Sequence, residues 1–480
     1  MKLNYKRTFF VGLAFLSISA FWQMYDNIIP LMLQNSFGFK ETITGVLMAM
    51  DNVLAIFLLP VFGALSDKTN TKIGRRMPFI LVGTVLAVIF MMMLPMADHM
   101  NSAAMFLIAL FALLFSMGIY RSPAVALMPD LTPNRCRSKA NAVINLMGAV
   151  GSIYSLIAIK FLVGKGDRPD YAPMFISIAA LMVLAVVILF FAIPENKTRD
   201  DVAAKCRAAN EPFNAETEEE AALRENETAG RGKTDKDAEE LRENETAGCG
   251  TTDKDAEELR ENETVGRGNT DKDAAASGQR IAGGNKMEPA VRRSMIFLLA
   301  SIFLWYFAYN AVTTAFSRYT KVVWKMEGGG FANCLLVGMV TAVICFIPIG
   351  IISGKIGRKK MILIGIVLMS VSYLAGIFVH TYTPFVNVLF GVIGIGWASI
   401  NVNSYPMVVE MAKGSDIGKY TGTYYTFSMA SQIVTPIVSG FLLEHISYST
   451  LFPYAFIFSV LAFATMTQVR HGDIFTEKTA

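Results

Sequence analysis

The chain has 480 residues, of which 53% are hydrophobic and only 17% charged, and its mean hydropathy is +0.43. A soluble protein of this length carries more charge, so the composition argues against an ordinary globular enzyme and for a chain that crosses a membrane many times. The formal net charge of +4 is too small for a nucleic-acid footprint, and five cysteines without paired spacing (Cys136, Cys206, Cys249, Cys334, Cys345) indicate neither a disulfide framework nor a zinc site.

The first apolar run, residues 8–33, is too long for a cleaved signal peptide and lacks a small-residue cleavage site, so it reads as a retained first span. Further stretches of spanning length fall at 41–66, 77–96, 102–129, 137–163 and 172–194. A second set follows at 293–322, 330–353, 359–380, 383–409, 417–444 and 449–469. Two sets of six predict an all-α membrane protein of twelve transmembrane helices in two six-helix bundles, residues 1–194 and 293–480.

Between them, residues 195–292 are a different material, charged and almost without aromatics. Three tandem 18-residue units begin at Leu223, Leu241 and Leu259, and one leucine per unit cannot build a core. The composition predicts a disordered or partly helical cytoplasmic linker, with partner binding by the repeat as the alternative. Its Asn-Glu-Thr triplets match a glycosylation acceptor that is inert on the cytoplasmic side.

Basic residues set the expected orientation. Lys2, Lys6 and Arg7 precede span 1; Lys68, Lys72, Arg75 and Arg76 crowd the 2–3 loop beside Asp67; Arg135, Arg137 and Lys139 mark the 4–5 loop; Lys355, Arg358, Lys359 and Lys360 mark the 8–9 loop. The 3–4, 9–10 and 11–12 connections carry none, with Lys165, Arg168, Arg318, Lys321 and Lys325 as exceptions on that side. Both termini are therefore expected in the cytoplasm, with the protein in the cell membrane.

Ionisable residues inside apolar spans cost about 2.5–3.5 kcal/mol each on insertion scales, so each needs a reason. Asp26 in span 1, Asp51 in span 2 and Arg121 in span 4 stand out. The first two reach similar depth on antiparallel spans, and with Arg121 they could bracket a cavity. A buried structural ion pair is one account of them; a proton or substrate site is the other, because a carboxyl group away from bulk water can load and release a proton. Trp22 and Tyr25, at i−4 and i−1 from Asp26, offer an aromatic plane beside a carboxylate, which suits a sugar ring and also an amphipathic cation. The second half offers neutral groups instead: the i,i+4 pairs Tyr306/Asn310 and Trp397/Asn401, with Trp305, Tyr309, Asn403 and Gln432. The expected division of labour gives the ion to the first half and a neutral, hydroxylated solute to both. Any single asparagine has an interhelical hydrogen bond as its plainer explanation.

The 2–3 loop, GALSDKTNTKIGRRMPF at 63–79, has an echo, GIISGKIGRKK at 350–360, in the matching place of the second half. Span 4 ends at Asp130 and span 10 at Glu410, so each acid can meet a basic loop and help close an inner gate. This loop pair resembles the signature of the major facilitator superfamily. The longer first copy, together with YRSPAVALMPDLTPNRCRSKANAVIN at 120–145, is similar to the sucrose/proton symporters and the related glycoside–cation symporters.

The resemblance implies two pseudo-symmetric bundles, a midplane site, alternating access, and coupled uptake of a di- or oligosaccharide or other glycoside. Asp67, Gly74, Arg75 and Arg76 match the gating-loop motif, and Arg358 belongs to its second copy, where Gly354 replaces the expected acid. Arg121 and Asp130 match the span 4 pattern, and Asp26 is similar in placement to a sugar-binding acid. Because Asp51 stands without a second span 2 acid, protons are favoured over sodium as the coupling ion. No cofactor is expected, and the working unit is expected to be a monomer in the bilayer. A drug or other small-molecule/proton antiporter is the alternative, although span 5 carries GAVGS at 148–152 and no proline. A lipid-linked glycosyl transferase lacks its clustered acids here, and a sensor would signal through the repeats.

Overall fold

A computed structural model describes residues 3–133, 136–166, 168–208, 288–411 and 417–473. The 18-residue repeats, Cys249 and Arg135 lie outside these residues. The described chain is helical throughout its spans, and twelve helices are long and apolar enough to cross a membrane. The first half comprises α1 (Tyr5–Asn35), α2 (Glu41–Lys68), α3 (Met77–His99), α4 (Ala103–Asp130), α5 (Arg137–Leu162) and α6 (Ala172–Ala192). The second comprises α8 (Pro289–Val322), α9 (Ala332–Ile356), α10 (Arg358–Ile377), α11 (Phe385–Met411), α12 (Ile417–His445) and α13 (Leu451–Thr467). Span n is therefore αn in the first half and αn+1 in the second.

One element falls within the interval expected to be disordered or partly helical. The interval read as linker from residue 195 begins with a further helix, α7 (Glu195–Ala208), whose Glu195, Val202 and Cys206 are buried. Its polar surface hid it in the sequence, because only three positions in four turns face the protein.

Within each half the helices pack in corresponding pairs, α3 on α4 in the first and α10 on α11 in the second. The halves meet along two seams, α2 against α12 and α5 against α9. The α2–α12 seam depends on missing side chains. A Cβ on Gly45 would stand 2.1 Å from the Pro436 carbonyl oxygen, and one on Gly440 would stand 2.5 Å from that of Glu41. Small residues let backbones approach where lipid supplies no hydrophobic drive between helices. Outward, the bundle exposes large apolar side chains such as Phe191 (78%) and Ile347 (76%), which suit hydrocarbon and not water.

The two ends of the bundle differ. Polar contacts between the halves lie at the end opposite the 2–3 and 8–9 loops, here the far end. There Arg318 of α8 donates to Glu41 of α2 at 2.8 Å, with their side chains 2% and 4% exposed, and Tyr448 donates to the same carboxylate. Glu444 accepts from the Thr42 backbone at 2.8 Å, and Lys321 donates to Asn35 at 2.6 Å. Arg318, an exception to the base-poor side in sequence, thus has its countercharge in the other half.

Candidate functional site

Two adjoining cavities lie between the halves at mid-span. The first, about 270 Å³, is lined by Asp26 and Trp22 of α1, Asp51 and Asn52 of α2, Arg121 of α4, Asn310, Thr313 and Thr314 of α8, and Gln432 of α12. The second, about 280 Å³, runs toward α9 and α11 and is lined by Gln23, Asn27, Tyr309, Tyr373 and Trp397 among apolar side chains. Asp26, Asn310 and Thr313 belong to both walls. The three intramembrane charges are thus in one cavity, as their depth along the spans suggests.

Arg121 is not tied down by either acid through an ion pair among the described residues. Its guanidinium carbon lies 5.5 Å from the Trp22 ring centroid, in cation–π range. Asp51 accepts from the Asn52 side chain at 2.8 Å. Asp26 has no hydrogen-bond partner among the described residues. A carboxyl group facing a cavity in this state can exchange a proton with whatever fills it. The structural ion pair considered from sequence is therefore absent from this conformation.

Several neutral groups around the cavities are buried without a partner: Trp22 Nε1, Asn27 Oδ1, Asn310 Nδ2 and the Tyr373 hydroxyl. Buried polar atoms are normally paired, so such a cluster calls for water or a solute. Both donors and acceptors are present, which fits hydroxyl groups. Tyr309 and Trp397 stack face to face, 3.8 Å between centroids and 2° between planes, and form a flat wall in the second cavity.

Three side chains expected in the lining are elsewhere. Tyr25 is fully buried against Phe21 and Trp22, because i−1 lies about 100° around the helix from Asp26. Tyr306 packs edge-on against Trp397 at 5.2 Å, one turn from the cavity. Asn401 turns its amide back to the Trp397 carbonyl at 3.3 Å. In exchange the cavities take Gln23, Asn27, Asn52, Thr313, Thr314 and Tyr373, which sequence reasoning missed. Gln23/Asn27, an i,i+4 polar pair flanking Asp26, was the available signal.

At the loop end, the charge cluster is one interlocked unit. Arg75 and Arg76 clasp Asp130 at 2.7 and 2.8 Å, and Arg76 also donates to Asp67. Gly74 has φ +126°, a conformation open to glycine, which turns the chain into α3. Glu195 of α7 fills the resulting hollow: its carboxylate accepts from the backbone N–H groups of Arg75, Arg76 and Met77 at 2.9–3.1 Å. A buried carboxylate here satisfies orphan donors at a helix N-terminus and complements its dipole.

The second half repeats the arrangement. Gly357 has φ +100°, Asp473 accepts from the Arg358 backbone at 2.8 Å, and Arg358 pairs with Glu410 at 2.6 Å. Asp130 and Glu410 do meet the basic loops, but each within its own half; these pairs brace the loops and do not bridge the halves.

The family model described as Major Facilitator Superfamily matches residues 11–347 and 298–472. The chain belongs to the Major Facilitator Superfamily. It is accordingly an integral membrane protein, with twelve spans among the described residues. Sucrose transport protein SUT3 of Oryza sativa subsp. indica is 26% identical over 151 residues, covering 28% of this chain and 30% of the relative. "Probable nitrate transporter NarT" of Staphylococcus aureus (strain JH9) is 24% identical over 156 residues, covering 32% of this chain and 38% of the relative. The chain thus spans about a third of the length of these curated relatives. Among solved structures, the nucleoside transporter NupG superposes with TM-score 0.61 at 13% identity, covering 97% of this chain and all of the other. The peptide transporter POT in complex with sulfate gives TM-score 0.62 at 12% identity, covering 97% and 95%. At such identities these structures speak for the superfamily fold.

Proposed function

We propose that this transporter is a proton-coupled symporter of a sugar or glycoside, of di- or oligosaccharide size, working by alternating access in the cell membrane. The loop end and both termini face the cytoplasm in this reading, following the basic loops. The observation that carries it is the position of Asp26: a carboxyl group without a protein partner, in the wall common to two cavities between the halves, ringed by unpaired neutral donors and acceptors.

A proton taken up from the outer side by Asp26 or Asp51 removes a charge that the empty cavity would otherwise have to hold. The solute then supplies partners for Asn310, Trp22, Asn27 and Tyr373, and the loaded, neutral site can cross between the two facing states. Arg121, parked over Trp22, is the countercharge when the carboxylates are ionised. Asp51, the acid that α2 contributes to the cavity wall, held by Asn52, suits a proton better than a sodium ion, which takes several oxygen ligands. The proposed working unit is a monomer.

The flat Tyr309–Trp397 wall beside Asp26 would also suit an amphipathic cation, the substrate of a proton antiporter. Counterflow in proteoliposomes separates the two. Symport predicts exchange of a member of a sugar panel and its accumulation under an inward proton gradient. Exchange of a lipophilic cation with no sugar exchanged would establish the antiporter.

A further inference from the structure

The aromatic groups of the second half extend beyond the central cavities. Tyr405 of α11 and Tyr424 and Tyr425 of α12 form one cluster on the loop side of those cavities. Tyr424 is 5% exposed and stands edge-on to both neighbours, its ring 5.5 Å from Tyr405 and 5.4 Å from Tyr425. Its hydroxyl meets Ser404 at 3.3 Å, and that of Tyr405 meets Thr421 at 3.2 Å. The two outer rings, 6.4 Å apart, are thus held from behind by a buried one. Tyr425 is 54% exposed, and its hydroxyl has no hydrogen-bond partner among the described residues.

Helical phase fixes the direction in which the cluster faces. Tyr425 precedes Gln432 by two turns, about 20° round the helix and about 10 Å toward the loop end. Gln432 lines the first cavity. The exposed apolar stripe of α12, Phe427, Val434 and Phe441, is on the opposite side. Tyr405 lies three turns beyond Gly394 of the second cavity, again about 20° round. Tyrosines of an interfacial belt face lipid, whereas these face the space between the halves. From the first half, α5 turns Asn141 and Asn145 toward the same space; both are exposed, and Asn145 is in phase with Leu156 of the second cavity. A sugar ring has an apolar C–H face and a rim of hydroxyls. The open faces of Tyr405 and Tyr425 match the first, and the free phenol and two amides, which donate and accept, match the second.

We infer that the Tyr405–Tyr425 platform is a second binding site for the sugar ring of the transported solute, a station between the central cavities and the loop end. The inference rests on the sugar reading of the central cavities. Open to water and with fewer polar partners, the station binds more weakly than they do. A solute leaving Asp26 and Asn310 meets this surface before it reaches bulk water.

The test uses the full chain in phosphatidylcholine nanodiscs and saturation-transfer NMR with irradiation of the aromatic protons. The probes are sucrose, maltose, lactose and trehalose, and the same protein in proteoliposomes is assayed for counterflow of each. The expected result is binding in two phases for a sugar that exchanges. Tyr425→Ala should weaken the weaker phase by about three- to tenfold and leave the stronger, with Tyr405→Ala acting in the same way. Tyr425→Phe, which keeps the ring, should fall between Tyr425→Ala and the wild type. Asn310→Ala, in the central wall, should show the reverse pattern, a dissociation that a general loss of fold does not produce. A single phase for a sugar that exchanges, or a weaker phase equal in the wild type and Tyr425→Ala, overturns the station and leaves the central reading standing. Exchange of no sugar in the panel defeats that reading and the station with it.

Discussion

In the proposed mechanism, Asp26 is the residue on which proton coupling turns. Replacing it by Asn keeps shape and hydrogen-bonding capacity but removes the proton-accepting group. Asp26→Asn should lose gradient-driven accumulation while retaining solute exchange, as measured by uptake and counterflow on the same vesicles. Trp22 makes a finer prediction. Its ring face lies against the Arg121 guanidinium, an interaction worth about 0.5–2 kcal/mol depending on desolvation. Trp22→Phe should keep most of the pH profile of uptake, whereas Trp22→Leu should shift it, because Arg121 then has no platform away from the acids. Equal profiles for the two variants would remove Trp22 from that role.

The same scale shows where sequence reasoning stops. Asp26, Asp51 and Arg121 were legible because a charge inside an apolar run is conspicuous. Tyr25, Tyr306 and Asn401 were misplaced because helical spacing says which residues share a face, not whether that face meets the seam or a neighbouring helix. Tyr25 turned to the protein interior, and Asn401 satisfied itself on its own backbone. Asn27 and Thr313 were overlooked because a lone polar residue in a span has a structural explanation by default.

Among the elements, α7 changes the picture of the loop end most. The basic cluster at 63–79 and its echo were readable as a duplicated feature, since glycine and charge recur at matched places. The acids that seat in them were not, because Glu195 and Asp473 bind backbone N–H groups, which leave no side-chain pattern. Each follows the last span of its half, so the two halves end in the same way. Removing the Glu195 side chain with Ala would leave three donors in a buried hollow unpaired, at about 1–3 kcal/mol for each such group. Glu195→Ala should lower thermal stability clearly more than Glu195→Gln, which keeps an acceptor; equal melting temperatures would contradict the cap.

At the scale of the molecule, the six-plus-six layout followed from apolar run length and basic loops, and the family match bears it out. The conformational state did not, since it depends on contacts between spans more than 270 residues apart. The structure closes the far end around Glu41 and Arg318, with α2 and α12 in backbone contact at Gly45 and Gly440. Neutralising one partner of a buried pair leaves the other charge uncompensated, at about 3–5 kcal/mol. That cost falls on the closed form alone, because an opened seam rehydrates Arg318. Glu41→Gln should therefore raise the rate at which an impermeant thiol reagent added outside reaches a cysteine placed at Thr314. An unchanged rate would show that the pair does not hold the seam.

The central claim is that a proton on the Asp26–Asp51 cavity drives solute inward. Purified protein in proteoliposomes, given a radiolabelled sugar identified by counterflow, tests it through one comparison: uptake with and without an inwardly directed pH gradient, for the wild type and Asp26→Asn. The account predicts transient accumulation above equilibrium by the wild type under the gradient only, and equilibration without overshoot by the variant. Overshoot that persists in Asp26→Asn, or that collapses a sodium gradient in place of a proton gradient, would contradict it.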